Sequence, residues 1–111
     1  MSTISWDDFA KIDIRAGTIM EVNDFPKAKN PAYQITIDFG ELGIKRSSAQ
    51  ITNLYDKEAL PGKQVIAIVN FPPKQIANFI SEVLVTGFPD ADHHVVLSTI
   101  DQPVPNGARL F

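Results

Sequence analysis

Alternation of hydrophobic and polar positions predicts that most of the chain forms short β-strands. In residues 33–39 the apolar side chains are Tyr33, Ile35, Ile37 and Phe39, and the polar ones between them are Gln34, Thr36 and Asp38. Because successive side chains of a strand point to opposite faces, this segment is predicted to bury one face. Residues 13–22 alternate in the same way, and the glycine at position 17 indicates a bulge or bend there.

The second half of the chain contains further predicted strands. Residues 65–69 are continuously apolar, as expected for the middle of a closed sheet, and shorter strands are predicted at 82–87 and 95–97. Pro72 and Pro73 lack backbone N–H groups, so the strand ladder has to stop there. We therefore expect the segment after the prolines to be a stiff crossover that is not a strand.

Two short helices are predicted between these strands. Ser5 with Asp8 three residues later resembles a capping box, and Asn53–Leu60 precedes the helix-stopping Pro61. Five or more strands with a helix between the third and fourth predict an all-β protein. The expected fold is a five-stranded Greek-key barrel of the oligonucleotide/oligosaccharide-binding type (OB-fold), with N- and C-terminal extensions. A β-sandwich is the alternative, and it would not require the second helix.

Composition limits the class of protein without identifying it. A chain of 111 residues has the length of a single domain, here residues 1–111. No cysteine is present, which excludes disulfides and thiol chemistry and suits a reducing cytosol. The first residues lack the basic and apolar regions of a signal peptide, and no apolar run is long enough to span a membrane. We expect a cytoplasmic protein that does not insert into membranes.

Charge is distributed unevenly along the chain. The net charge is −3, yet residues 25–75 contain seven basic and four acidic side chains. A positive centre between acidic ends is compatible with a local anion-binding face. Chance clustering of solvating charges explains the same numbers equally well at this stage.

A third, unusually polar strand is predicted at residues 44–51, and together with the crossover it supplies the candidate binding residues. OB-folds bind ligands through strands two and three and the neighbouring loops. Lys45 and Arg46 should point to opposite faces of their strand, and each lysine here has the alternative role of a solvated surface charge. We expect the third strand and the crossover to lie side by side on one cationic wall, with these candidate contacts to nucleic acid: Lys45, Arg46, Ser47, Ser48, Gln50, Asn70, Lys74 and Ser81.

Asn70 and Ser81 also have a structural alternative, which is to tie the crossover to the sheet at the barrel rim. Phe71 and Phe79 are candidates for stacking on bases or for holding apolar peptide side chains. Core packing is the alternative for at least one of these two phenylalanines.

No catalytic or metal-binding pattern is evident. Asp90, Asp92, His93 and His94 cluster in sequence, but adjacent histidines lack the spacing of a motif such as His-Glu-x-x-His. No nucleophile elbow and no phosphate-binding glycine loop is present. We expect no catalysis, no metal and no cofactor.

Large apolar side chains occur near both ends of the chain, where a small domain usually frays. They either pack on their own barrel or bury against a second copy, and a two-fold homodimer is the favoured interpretation. These side chains are Trp6, Phe9, Val104, Leu110 and Phe111.

Several motifs, in this order, resemble the tRNA-binding domain family. They are Asp13-Ile-Arg-Ala-Gly17, Phe25-Pro-Lys-Ala-Lys29, Ser48-Ala-Gln-Ile51, Asn70-Phe-Pro-Pro-Lys74 and Ser81-Glu82. The likeness extends from about Phe9 to Gly107 and is strongest to stand-alone bacterial and archaeal members. It implies an OB-fold homodimer that binds tRNA without sequence specificity and, for stand-alone members, unfolded or pre-secretory polypeptides. The positions that match the family's RNA face are Lys45, Ser48, Asn70, Lys74 and Ser81.

Overall fold

The computed structural model describes all residues from 1 to 111 and consists mainly of short β-strands. One α-helix, α1 (Trp6–Ala10), precedes them, and the predicted capping box at its start is confirmed. The Ser5 hydroxyl accepts a hydrogen bond from the Asp8 amide at 3.1 Å, and the Asp8 carboxylate accepts one from the Ser5 amide at 3.1 Å. This reciprocal pairing satisfies two amides that a helix start otherwise leaves free.

Nine strands follow the helix. They are β1 (Ile14–Asp24), β2 (Tyr33–Asp38), β3 (Ile44–Ala49), β4 (Gln64–Ile68), β5 (Lys74–Ile76), β6 (Phe79–Ser81), β7 (Leu84–Val85), β8 (Gly87–Pro89) and β9 (Val95–Leu97). Five of them form one antiparallel sheet in the order β3-β2-β1-β4-β7, while β5–β6 and β8–β9 are separate hairpins.

The sheet closes because β3 also forms hydrogen bonds with the last residue of β6 and with the residue after it. The Glu82 amide donates to the Arg46 carbonyl at 2.8 Å, and the Ser48 amide donates to the Ser81 hydroxyl at 3.1 Å. These bonds occupy the free edge of β3 and leave a nearly closed five-stranded barrel. The predicted OB-type barrel is therefore confirmed, and the sandwich alternative is wrong.

In residues 33–39 the alternation correctly predicts the inward positions, whereas in β1 the predicted inward residue Met20 is exposed and Ile19 is buried in its place. Ile35, Ile37 and Phe39 are fully buried beside Val65 and Ile19. A smaller apolar cluster lies beneath the β5–β6 hairpin, where Phe79 packs against Phe25 and Ala32. The hairpin is therefore anchored on the barrel by its own core.

The helix predicted at Asn53–Leu60 is wrong, since only a single 3-10 turn forms, at Lys57–Ala59. Contacts with distant residues fix the segment in another conformation. The Tyr33 hydroxyl donates to the Tyr55 carbonyl at 2.7 Å, and the Tyr55 hydroxyl accepts from the Leu97 amide at 3.0 Å. Tyr55 is thus tied to β2 and to β9, and these long-range contacts override the local preference for a helix.

The bulge expected at Gly17 lies instead at Met20, where the β1–β2 register shifts between Ile19 and Glu21. Gly17 has a different role, because a Cβ at this position would lie 2.6 Å from Cγ2 of Ile37. The glycine therefore allows β1 to approach the core side chains of the barrel.

Two expectations for residues 72–89 are also wrong. The chain pairs again directly after the prolines, because Lys74 lies opposite Ser81 in the β5–β6 hairpin. Prolines 72 and 73 stay outside the ladder, so only the segment that follows them departs from the expectation. The single strand expected at 82–87 is divided between β7 and β8, and β8 continues to Pro89, beyond the expected end.

The C-terminal segment packs along β1 and forms hydrogen bonds with its backbone. The Ala16 amide donates to the Ala108 carbonyl at 2.9 Å, and the Leu110 amide donates to the Ile14 carbonyl at 2.8 Å. Asp13 pairs with both Arg15 and Arg109 beside these bonds. The longest helix, α1, has five residues, so no helix of the chain could span a membrane.

Candidate nucleic-acid interface

A polar groove of 270 Å³ runs between the end of β3, the β5–β6 hairpin and the loop before β2. It brings together three of the predicted contact residues, Ser48, Gln50 and Lys74. This groove, called the basic groove below, has nine lining residues: Ala28, Lys29, Asn30, Ala32, Ser48, Gln50, Lys74, Gln75 and Ile76.

Ser81 joins the hairpin to β3 and so positions Lys74 at the groove. Lys74 and Ser81 lie opposite each other in the hairpin, and the Ser81 hydroxyl accepts the hydrogen bond of the Ser48 amide. The expectation that the third strand and the crossover lie side by side is therefore confirmed. Lys74 itself is exposed, on a short strand that begins directly after two prolines.

Arg46 lies on the outward face of β3, the same face as Ser48. Its guanidinium is 4.3 Å from the centre of the Phe79 ring, and Nη2 is 3.4 Å from the Gln34 side-chain oxygen. An arginine positioned over an aromatic ring retains guanidinium N–H groups that can donate to further acceptors. Arg46 forms no ion pair within the chain.

Three of the six lysines and arginines without an ion pair lie at this surface, namely Lys29, Arg46 and Lys74. Ion pairs occupy Lys11, Arg15, Lys57 and Arg109. Side-chain hydrogen bonds to Asp13 and Asp24 raise the pKa of Arg15 and of Lys57, respectively, with smaller coulombic contributions from the same carboxylates. By contrast, Lys29 and Lys74 have no carboxylate partner, and no acidic residue lines the basic groove.

Three of the four predicted contact residues in β3 lie outside the residues that line this groove, namely Lys45, Arg46 and Ser47. Ser47 is only 1% exposed, and its hydroxyl is 3.2 Å from the Ser48 carbonyl, so the prediction that Ser47 contacts a ligand is wrong. Lys45 lies opposite the buried Ile37 in the β2–β3 register and shares its inward face. Lys45 therefore lies on the face of β3 opposite to Ser48, and it does not line the groove that contains Lys74.

Asn70 has both ends of its side chain occupied by backbone. Its oxygen accepts from the Asp13 amide at 3.0 Å, and its nitrogen donates to the Lys11 carbonyl at 2.7 Å. The structural alternative thus describes Asn70, although it secures the turn between α1 and β1 and not the crossover. Ser81 fits the structural alternative more closely, because its hydroxyl joins the hairpin to β3.

The two candidate phenylalanines have different environments. Phe79 is 2% exposed and belongs to the small cluster beneath the hairpin, so the prediction that it contacts a ligand is wrong. Phe71 is 53% exposed and lines a second cleft of 380 Å³, which shares Lys74 with the basic groove. The other residues of this cleft are Pro72, Ser81, Glu82, Val83 and Leu84.

Sequence reasoning missed Lys29, Asn30 and Gln75 as groove residues. Lys29 was counted in the positive central segment, but nothing local in the sequence placed its loop against the hairpin. The signal that exists is the apolar contact between Phe25 and Phe79, which holds the loop and the hairpin together. Contacts between residues so far apart in sequence cannot be read from periodicity.

The family follows from comparison with known proteins. Residues 14–109 match the family model of the tRNA binding domain, and the chain therefore belongs to the tRNA-binding domain family. It is 34% identical over 110 residues to the methionine–tRNA ligase of Thermococcus kodakarensis, an alignment that covers 99% of this chain. The chain spans only 14% of the length of that ligase.

Two solved structures show which member of the family this chain resembles. The chain resembles the crystal structure of the chaperone CsaA from Bacillus anthracis, with a TM-score of 0.91 and 47% identity, covering 99% of this chain and 100% of that one. It also resembles the CsaA chaperone protein from Picrophilus torridus, with a TM-score of 0.91 and 55% identity, covering 98% and 100% of the two chains. The expected resemblance to this family is therefore confirmed, and CsaA is the protein whose solved structures this chain resembles.

Proposed function

We propose that this chain is a cytoplasmic, non-catalytic binding protein whose basic groove holds the phosphates of tRNA. Family membership and the CsaA-like fold support this proposal. The observation that carries it is the composition of the groove, in which Lys29 and Lys74 face no carboxylate and lie beside the side chains of Ser48 and Gln50. Lysines supply the charge that phosphates require, while hydroxyl and amide groups fix the register of the backbone.

Arg46 and Ser81 belong to the same proposed surface. Arg46 presents its guanidinium beside the hairpin, and Ser81 acts mainly by holding Lys74 in place. Neither role involves a base edge, which agrees with recognition of nucleic acid by its backbone without sequence specificity. No chemistry on the RNA is part of the proposal.

Binding of total tRNA measured across a salt series tests this function. Each phosphate contact releases counterions, so loss of one contact lowers the slope of log affinity against log salt by about one. We expect Lys74→Ala to lower both the affinity and the slope. The matched control is Lys63→Ala, which removes the same charge outside the groove and should keep the slope. A wild-type protein that shows no salt-dependent tRNA binding would refute the proposal.

A second candidate function is the binding of unfolded or pre-secretory polypeptides in the 380 Å³ cleft. The observation that favours it is the exposure of Phe71 and Leu84, 53% and 48%, beside that cleft. Apolar side chains at a surface cleft suit an extended peptide with apolar groups of its own. Suppression of the aggregation of an unfolded client should then persist at high salt and be lost in Phe71→Ser. No protection at any salt concentration would exclude this candidate.

A homodimer completes the proposal. Trp6 is 83% exposed, Ile4 is 71% exposed, and both line an apolar cavity of 420 Å³ together with Phe9 and Phe111. A second copy related by two-fold symmetry would bury this patch and double the groove surface available to one tRNA.

A further inference from the structure

A second polar pocket, of 210 Å³, continues the basic groove toward the turn between β8 and β9. The two share Asn30 and Gln50, so one strand of nucleic acid lying in the groove would reach both. Its remaining lining residues are Pro31, Thr52, Asn53, His93, His94 and Val95. No lysine, arginine or carboxylate lines this pocket, which distinguishes it chemically from the groove.

The polar side chains of this pocket have no partners within the chain. The amides of Asn30, Gln50 and Asn53, the hydroxyl of Thr52 and both imidazoles form no hydrogen bond with other residues. Among the amides elsewhere, Asn70 and Gln64 are bonded to distant backbone groups, whereas Asn23, Asn78 and Gln102 are also free. These six side chains therefore offer hydrogen-bond donors and acceptors that an external ligand in the pocket can use.

Hydrogen bonds around Asp90 fix the backbone of the β8–β9 turn, which carries the two histidines. One Asp90 carboxylate oxygen accepts from the amides of Asp92 and His94, both at 2.9 Å, and the Asp90 amide donates to the His94 carbonyl at 2.8 Å. His93 adopts a positive φ of 64°, a conformation that few residues outside glycine occupy. The Asp90 carboxylate is thus part of the turn and is directed at its backbone.

We propose that this pocket is a nucleotide subsite that holds a base of the strand whose phosphates lie at Lys29 and Lys74. This inference rests on the proposed function and deepens it. Imidazole rings offer flat faces for stacking, and side-chain amides offer paired donors and acceptors to base edges. The groove supplies charge and the subsite supplies contacts to bases, so the two contributions are separable by measurement.

The experiment compares a single-stranded oligonucleotide with an abasic oligonucleotide of the same length and phosphate number. We expect the wild-type protein to bind the base-containing strand about tenfold more tightly, as one stacked base contributes. The double variant Asn53→Ala/His94→Ala should lose this difference while the salt slope stays unchanged. Neither substitution requires a positive φ, so the turn should persist. Gln102→Ala, an exposed amide outside both pockets, is the control and should behave as the wild type.

The outcomes separate the subsite from the function on which it rests. Equal affinity of the wild-type protein for the two strands would overturn the subsite and leave the phosphate groove intact. A double variant that weakens binding of both strands equally would also overturn it. If the wild-type protein binds neither strand, the proposed function and the subsite both fail.

Discussion

Gly17 shows how a single residue sets the spacing inside this barrel. A Cβ at this position would lie 2.6 Å from Cγ2 of Ile37 and 2.7 Å from two atoms of the Phe39 ring. Both neighbours are fully buried and have little freedom to move. The absence of a side chain at Gly17 is therefore required for the packing of β1 against β2.

The first prediction follows from this contact. Gly17→Ala should destabilise the protein by about 1–3 kcal/mol, the usual cost of overpacking a filled core. Urea unfolding followed by tryptophan fluorescence and by far-UV circular dichroism would measure the loss. An unchanged or raised free energy of unfolding would show that the barrel can expand at this point.

At the level of elements, the β5–β6 hairpin depends on its attachment to β3. Ser81 accepts the hydrogen bond of the Ser48 amide, and Glu82 exchanges two hydrogen bonds with the backbone of Arg46. Phe79 adds an apolar anchor on the other face of the hairpin. Because Lys74 lies on this hairpin, the attachment of the hairpin to β3 determines the position of Lys74 in the basic groove.

The second prediction tests this attachment. Ser81→Ala should lower the free energy of unfolding by about 1–3 kcal/mol, since the Ser48 amide loses its acceptor. Hydrogen exchange at the Ser48 amide should quicken, and tRNA affinity should fall. Ser98→Ala is the control, because its hydroxyl has no hydrogen bond to lose and its effect should stay within about 0.5 kcal/mol. Equal effects of the two substitutions would contradict the role of Ser81.

The elements also show what the sequence permits one to predict. Strands β1 and β2 are long enough for alternation to reveal them, β4 is evident as a continuous apolar run, and the capping box at Ser5 is a local signal. The hairpin escapes detection because its strands have three residues each and its turn places Ala77 at a φ of 52°, without a glycine. The helix expected at residues 53–60 fails because Tyr55 is held by residues far away in sequence.

The residues of the candidate site also divide into those that the sequence predicts and those that it does not. Ser48, Gln50 and Lys74 were predictable from the polarity of the third strand and from the stiff segment after the prolines. The partner loop with Lys29 was not, because an apolar contact beneath the surface brings it there. Lys45 and Ser47 were misplaced because polarity alone does not tell which face of a closed barrel a residue occupies.

For the molecule as a whole, the apolar patch at the chain ends and the basic groove share no residue. The exposed patch that contains Trp6 and Phe111 is formed by the two chain ends, whereas the basic groove is formed by the middle of the chain. A dimer formed through the ends would therefore leave both grooves open. The affinity of such a dimer for a long nucleic acid would exceed that of one subunit through multivalency.

The third prediction concerns this assembly. Sedimentation equilibrium should give twice the chain mass for the wild-type protein, and Trp6→Glu should shift it to the monomer because a charge cannot be buried in the apolar patch without great cost. The control is Met20→Glu, which places the same charge on an exposed apolar residue outside the patch. A wild-type monomer, or a dimer that persists in Trp6→Glu, would contradict the proposed interface.

The central claim is that two unpaired lysines of one groove bind phosphates. The salt dependence of tRNA binding by Lys29→Ala/Lys74→Ala, compared with Lys11→Ala/Lys63→Ala, tests it most directly, because both variants lose the same net charge. We predict that the groove variant lowers the slope of log affinity against log salt by about two and that the control keeps the wild-type slope. Equal slopes for the two variants would contradict the account.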